Sequence, residues 1–283
     1  MTTDYLLGID VSDVQGFPKW DKVKESGVEY AFCKATEGKT YVTKRFSYNW
    51  KGMKKASLIR GVYHFARTVN DPVKEVNLFL KTVGPLDKED MLVLDIEDGR
   101  NKLSPPQFIN WVLTFLQTVE QETNVIPIVY TGGPYFDKHG GYKNDKGKWY
   151  PDGELVEKLN RYPLWLAAYT KTPDKYVPYV WKSKGWTIWQ RSGDVAAKGD
   201  NVLFVPGINV VVDRNQYKGT VDDFREFAKS LHKKESERIT IVPLIPIDLD
   251  LKSDHAVIDP PTEMLPVPKN KFFDFFHKIF GIK

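Results

Sequence analysis

The sequence predicts an α/β fold: an irregular TIM-like (β/α) barrel of about five β/α units, then strands with few helices, plus a C-terminal extension. Three observations predict it. Short apolar runs recur through the first 230 residues, amphipathic helical patterns separate the early runs and thin out after residue 130, and acidic residues close several of the runs. Near-continuous apolar runs suit parallel strands covered on both faces, and strands alternating with helices build a parallel sheet that can close on itself.

The strands follow in order. Residues 5–10 read as a buried strand ending in Asp10, and residues 28–34, 59–65, 91–97 and 125–130 as four more. Weaker runs at 164–168, 186–190 and 209–213 bring the set to eight. Among the helical patterns, residues 71–83 place Val73, Val76, Phe79 and Leu80 on one face. Ser104 is a natural N-cap before Pro105, and Phe108, Trp111, Val112, Phe115, Leu116 and Val119 share the next face. Thr220 opens a third helix with Phe224, Phe227, Ala228 and Leu231 on its inner side. Residues 139–153 are polar and turn-rich, so an exposed loop insertion is expected there.

The barrel should occupy residues 1–233. Beyond it, Pro243, Pro246, Pro260, Pro261, Pro266 and Pro268 mark residues 234–268 as a proline-rich linker without a core of its own. Residues 269–283 form an amphipathic segment in which Phe272, Phe276 and Ile279 make one stripe, with Phe273 and Phe280 alongside. Such a stripe can dock on a partner protein, lie on a membrane surface or fold back over the barrel.

Composition narrows the chemistry. In 283 residues, 41% hydrophobic and 28% charged content excludes a wholly disordered chain. No apolar stretch is long enough to span a bilayer, and the start, Met1-Thr2-Thr3-Asp4-Tyr5, shows no basic region followed by an apolar run, so a secretory signal is not expected there. The single Cys33 excludes an internal disulfide framework, and its apolar strand reads as the place of an inert buried thiol. His139, His232, His255 and His277 are scattered and make no metal-ligand spacing, so a zinc hydrolase is not expected. A net charge of +4 is too small to argue for nucleic acid.

The chemistry-bearing residues are the acids: Asp10, Asp95 with Glu97, and Asp213. In a parallel barrel all strand C-termini open on one face, so acids distant in sequence converge there. Asp95 and Glu97, two residues apart, point to the same side of their strand, with Cα atoms roughly 6.5–7 Å apart. One carboxyl among crowded acids, partly desolvated, keeps its proton and serves as general acid, while ionised neighbours stabilise positive charge developing on a sugar ring. Tyr63, Tyr130, Tyr169, Trp189 and Tyr217 stand at or just beyond strand ends, where flat rings can pack on sugars or simply line the barrel wall. His64 can bond a catalytic acid or serve the apolar strand around it.

These blocks together resemble glycoside hydrolase family 25, the Chalaropsis-type lysozymes. Gly8-Ile9-Asp10-Val11-Ser12, Gln15-Gly16 and Trp20 are similar to the family's opening. Lys34-Ala35-Thr36-Glu37-Gly38 and Gly61-Val62-Tyr63-His64-Phe65 follow it, and Leu94-Asp95-Ile96-Glu97 resembles its Asp-x-Glu signature. Trp189-Gln190 and Val212-Asp213-Arg214-Asn215 resemble its closing motifs, with Arg214 where Leu is more usual. The resemblance spans about residues 5–230. It implies an N-acetylmuramidase acting on bacterial peptidoglycan without a cofactor, with Glu97 as general acid and Asp95 as second catalytic carboxylate or holder of the acetamido group. Asp10, Asp213, Tyr63, His64, Tyr130, Tyr169, Trp189 and Gln190 would bind substrate; retention or inversion stays open.

Two other readings stand beside it. One is a chitinase-like glycosidase, whose Asp-x-x-Asp-x-Asp-x-Glu pattern is broken here by Val93. The other is an inactive barrel that binds glycan or builds a larger assembly. The muramidase reading requires delivery to the wall after synthesis in the cytoplasm, through holin release, secretion or a phage-like particle. It leaves residues 269–283 for a partner protein or membrane surface.

Overall fold

The computed structural model describes residues 5–98, 101–143, 149–151, 153–193 and 204–233. Strand β1 (Tyr5–Val11) leads to helix α1 (Trp20–Glu25), and β2 (Tyr30–Glu37) through a short β3 (Tyr41–Val42) to α2 (Phe46–Lys55). Strand β4 (Ile59–Phe65) leads to α3 (Pro72–Val83), β5 (Met91–Asp95) to α4 (Pro105–Thr123), and β6 (Ile128–Gly132) to α5 (Gly133–Gly140). These are the five β/α units. A hairpin of β7 (Tyr142–Lys143) and β8 (Trp149–Tyr150) and helix α6 (Gly153–Asn160) come next. Then β9 (Leu164–Ala167), β10 (Ile188–Ser192) and β11 (Asp213–Lys218) follow, with no α-helix between them among the described residues, and α7 (Val221–Ser230) ends the barrel.

Among the described residues, eight strands close in the order β1-β11-β10-β9-β6-β5-β4-β2, with β2 pairing back onto β1. Seven run parallel, whereas β11 is antiparallel to both of its neighbours. This corrects one expectation. The sequence suggested a strand over residues 209–213 ending in Asp213; the strand instead begins at Asp213. Because β11 runs the other way, its first residue reaches the same rim as the last residues of the parallel strands, and the register sets Asp213 directly opposite Asp10.

Local chemistry explains the clearest helices. The Asp71 carboxylate caps α3, accepting from the main-chain N–H of Val73 at 2.8 Å and Lys74 at 3.2 Å, with Pro72 in the first turn. Ser104 with Gln107 and Thr220 with Asp223 form capping boxes for α4 and α7. Each such cap contributes about 1 kcal/mol. Helix α4 stops at Asn124, whose left-handed φ of 57° suits a short polar side chain.

The barrel interior is filled rather than hollow. Phe32 from β2 meets Trp165 from β9 at 4.4 Å between ring centres, across strands that are not neighbours in the sheet. Below them Phe224 of α7 packs on Tyr30 at 4.2 Å and on Tyr217 at 4.8 Å. Main-chain pairing of Val125 with His232, and a bond from the His232 ring to the Asp90 carbonyl, hold the end of α7 against the starts of β5 and β6. The strand N-termini are thereby sealed and the C-terminal rim is left open. At the sealed end Arg60 is buried, bonded to Asp90 at 2.7 Å and to Asp87 at 3.0 Å, with its guanidinium over Trp50.

Within the predicted insertion at 139–153, His139 and Gly140 close α5, β7 pairs with β8, and Gly153 opens α6. No helix of the described residues is long and apolar enough to cross a membrane. The expected linker, 234–268, and docking segment, 269–283, lie outside the described residues.

Candidate active site

At the open rim, Gln190 on β10 is the hub around which the acids are arranged. Its amide nitrogen donates to Asp10 Oδ2 at 3.0 Å and reaches Asp213 Oδ2 at 3.5 Å. Its carbonyl accepts from the Tyr130 hydroxyl at 2.8 Å and from the Tyr169 hydroxyl at 3.0 Å. Gly193 leaves room for this: a Cβ there would stand 2.6 Å from the Tyr169 oxygen. Asp10 Oδ2 takes a second amide donor, Asn215 Nδ2 at 2.8 Å, and Asn215 is in turn held by the Trp165 indole at 2.8 Å. Asp10, Gln190 and Asn215 are all buried.

Glu97 and Asp95 stand across from this cluster. Strand β5 ends at Asp95, and the main-chain N–H of Ile96 still bonds the Tyr130 carbonyl at 2.9 Å, so Glu97 projects just past the last ladder bond. Burial pushes the Glu97 carboxyl up to about 7; the Tyr130 hydrogen bond and the Lys34 ammonium oppose this, while Asp10 and Asp98 add to it. Asp95 is driven well above the usual carboxylate range by burial and by Glu97 beside it. Two buried acids this close release their protons in sequence, so the pair retains a proton near neutral pH. Asp95 Oδ1 is buried without a hydrogen-bond partner, an acceptor left open at the rim.

Tyr63 belongs to the same cluster: burial, then the charges of Asp10, Asp95 and Asp213, drive its phenol well above the ordinary value. The site thus brings together Asp10, Asp95, Glu97, Asp213, Tyr63, Tyr130, Tyr169 and Gln190. It does not bring in the other two expected residues. His64 points out of the barrel, where Nε2 meets Glu75 of α3 at 2.7 Å and Nδ1 meets Thr36 Oγ1 at 2.7 Å. Adjacent strand residues face opposite sides, so Tyr63 inward means His64 outward. Trp189 is outward for the same reason beside Gln190; its indole donates to the Ala168 carbonyl and its ring packs on Tyr5 and Trp186. Tyr217 sits at the sealed end against α7. Arg214 turns away from Asp213, toward the Phe204 carbonyl.

Sequence reasoning missed Asn215, Lys34 and Arg67. Asn215 lies two residues from Asp213 and so shares its face, a signal available from the strand period alone. Lys34 is a charge at the end of an otherwise apolar strand; its ammonium pairs with Glu37 at 2.6 Å and acts on both Asp95 and Glu97. Burial raises the Cys33 thiol, which keeps it inert. A cleft of about 260 Å³ beside Arg60, Asp87 and Asp90 lies at the sealed end, and Arg60 there is committed to its two aspartates and the Trp50 carbonyl.

The arrangement has a family counterpart. The family model for glycosyl hydrolases family 25 matches residues 9–200, a span that holds Asp10, Asp95 and Glu97, with Asp213 beyond it. The Escherichia coli (strain K12) protein YegX is 32% identical over 230 residues, covering 79% of this chain and 74% of its own. Lysozyme M1 of Streptomyces globisporus is 30% identical over 227 residues, covering 77% of this chain and 69% of its own. Among solved structures, the bacterial lysozyme from Streptomyces coelicolor is similar with a TM-score of 0.67 at 28% identity, covering 81% of this chain and 99% of that one. The chain belongs to glycosyl hydrolases family 25 and is a glycoside hydrolase.

Proposed function

We propose that this family 25 hydrolase is a muramidase that cleaves the β-1,4 bond from N-acetylmuramic acid to N-acetylglucosamine in peptidoglycan. One observation carries the reading: a carboxyl raised to about 7, Glu97, stands at the open rim opposite an acid pair held by a shared amide, Asp10 and Asp213 on Gln190. A relative named Lysozyme M1 and a solved lysozyme of the same fold support the substrate class.

In this reading Glu97 gives its proton to the bridging oxygen as the C1–O bond breaks. Positive charge then grows on the muramic acid ring, where the carboxylates of Asp10 and Asp213 face it. The open Oδ1 of Asp95 suits the N–H of the substrate's acetamido group. Water finally supplies the hydroxyl at C1 and returns a proton to Glu97. The four tyrosine and glutamine groups around the acids fix them before substrate arrives, so little reorganisation remains for the reaction itself.

Delivery belongs to the same proposal: a wall hydrolase of a phage, an injection machine or a secretion system, attached through residues 269–283. Support for that step is the aromatic stripe in the sequence.

The test is mass spectrometry of fragments released from purified peptidoglycan, with Glu97→Gln as control. Fragments ending in reducing muramic acid, lost in the control, are the expected result. Reducing-end glucosamine would make the enzyme a glucosaminidase, and intact glycan would favour a binding or structural barrel.

A further inference from the structure

Arg67 follows β4 and reaches between two carboxylates, Glu37 at the end of β2 and Asp98 just past β5. Its Nε donates to Glu37 Oε1 at 2.9 Å, Nη2 bonds the same oxygen, and Nη1 meets Asp98 Oδ2 at 2.7 Å. Glu37 ends β2 and also receives the Lys34 ammonium. The Arg67 guanidinium lies over the Phe65 ring at 4.5 Å. Its main chain is fixed from behind: the Arg67 N–H donates to Glu75 Oε2 at 3.1 Å. Glu75, fully buried on α3, is held by Asn70 at 2.6 Å and by the His64 ring at 2.7 Å. A carboxylate only accepts, so His64 carries its proton on Nε2, and burial holds the ring toward its neutral form. Nδ1 then accepts from Thr36.

This wiring matters because Glu97 lies beyond the β5 ladder. Past the Ile96 bond to Tyr130, the segment is held by the Tyr135 hydroxyl on the Asp98 carbonyl at 3.0 Å and by Arg67 on the Asp98 side chain. We propose that Arg67 is a positioning residue for the general acid: by clamping Asp98 to the end of β2, it fixes the direction of the Glu97 carboxyl and the charge beside it. The outward His64–Glu75 pair is the buried foundation of that clamp. The proposal rests on reading Glu97 as the acid.

The groups facing Glu97 are Asp10 from β1, Lys34 from β2, Asp95 from β5, Asp98 next to it, Tyr130 from β6 and Tyr135 from α5. Arg67 balances the Asp98 charge within this ring. Removing the cation should favour protonated Glu97, and removing the Asp98 charge should do the reverse.

The experiment measures kcat, KM and the alkaline limb of kcat on soluble glycan fragments, with thermal unfolding alongside, for Arg67→Met, Arg67→Lys, Asp98→Asn and Glu97→Gln. Arg67→Met should lower kcat about ten- to a hundredfold with KM little changed. Its alkaline limb should move up by about half a pH unit, and that of Asp98→Asn down by about as much. Arg67→Lys should restore the limb but only part of kcat, since an ammonium cannot bridge two carboxylates as the planar fork does. Unfolding temperatures that fall while kcat and the limb stay at wild-type values would overturn the proposal. If Arg67→Met does not fold, Asp98→Asn and Arg67→Lys decide it by the same two readouts. Full activity in Glu97→Gln would instead overturn the assignment of the acid.

Discussion

Glu97→Gln should make the protein more stable above pH 7 and leave it unchanged near pH 4. In the unfolded chain this carboxyl titrates near 4.5, and in the folded site near 7. Between those values the native state holds a proton that the unfolded state has lost, so wild-type stability falls as pH rises through the window and then stays low. A shift of that size corresponds to about 3 kcal/mol at most, and to about 2 kcal/mol once the partial exposure of Glu97 at the rim is allowed for. Gln keeps the volume and the Tyr130 contact but carries no charge, so it escapes the loss and also relieves Asp95. Urea unfolding of both proteins at half-unit steps from pH 4 to 8.5 gives the difference directly. The two curves should coincide at pH 4 and separate to about 2 kcal/mol by pH 8, roughly 4–8 °C in Tm for a barrel of this size. A difference that does not change with pH, or a variant less stable than wild type at pH 8, would refute burial as the origin of the raised acid.

Three further outcomes follow from the same geometry. Hydrolysis by the wild-type enzyme should decline as pH rises through about 7, as the acid loses its proton, and a pH–rate profile on soluble fragments checks it. Gln190→Leu leaves two tyrosine hydroxyls without their acceptor and Asp10 short of a donor; activity should fall more than tenfold and stability by roughly 1–3 kcal/mol, read by turnover and denaturant unfolding. Arg60→Met, at the sealed end, strips the buried Asp90 of its cation and should cost roughly 3–5 kcal/mol in stability, while turnover per folded molecule stays at the wild-type level.

Most of the barrel was legible because its strands are buried on both faces. Ile59–Phe65 and Met91–Asp95 announce themselves as apolar runs, and Asp71, Ser104 and Thr220 mark helix starts by side-chain chemistry. Helices α1 and α2 went unread because Lys19 and Arg45 precede them without a side-chain cap, although Phe46, Asn49, Trp50 and Met53 lie buried along one face of α2. The start of β11 was misplaced because Asp213 begins a polar strand, Asp-Arg-Asn-Gln-Tyr-Lys, with no apolar run to signal it. The acids were found from their positions at strand ends. Their supports were harder: His64 and Trp189 differ from Tyr63 and Gln190 only by one step of strand register, and that step decides between the site and the outer layer.

The same register explains how one barrel keeps two kinds of carboxyl apart. Asp10 and Asp213 sit opposite each other on antiparallel strands, and both face the amide nitrogen of Gln190, which can only donate. The carbonyl of that amide faces the other way, toward Tyr130, whose hydroxyl also reaches Glu97. A phenol has one proton to give. Committed to Gln190, it has less to offer an ionised Glu97, so its bond to that carboxyl opposes the raised acid without outweighing burial. The orientation of a single side-chain amide therefore feeds hydrogen-bond donors to the Asp10 side of the rim and draws the Tyr130 proton toward itself, leaving burial to keep the proton on Glu97, where the leaving oxygen needs it.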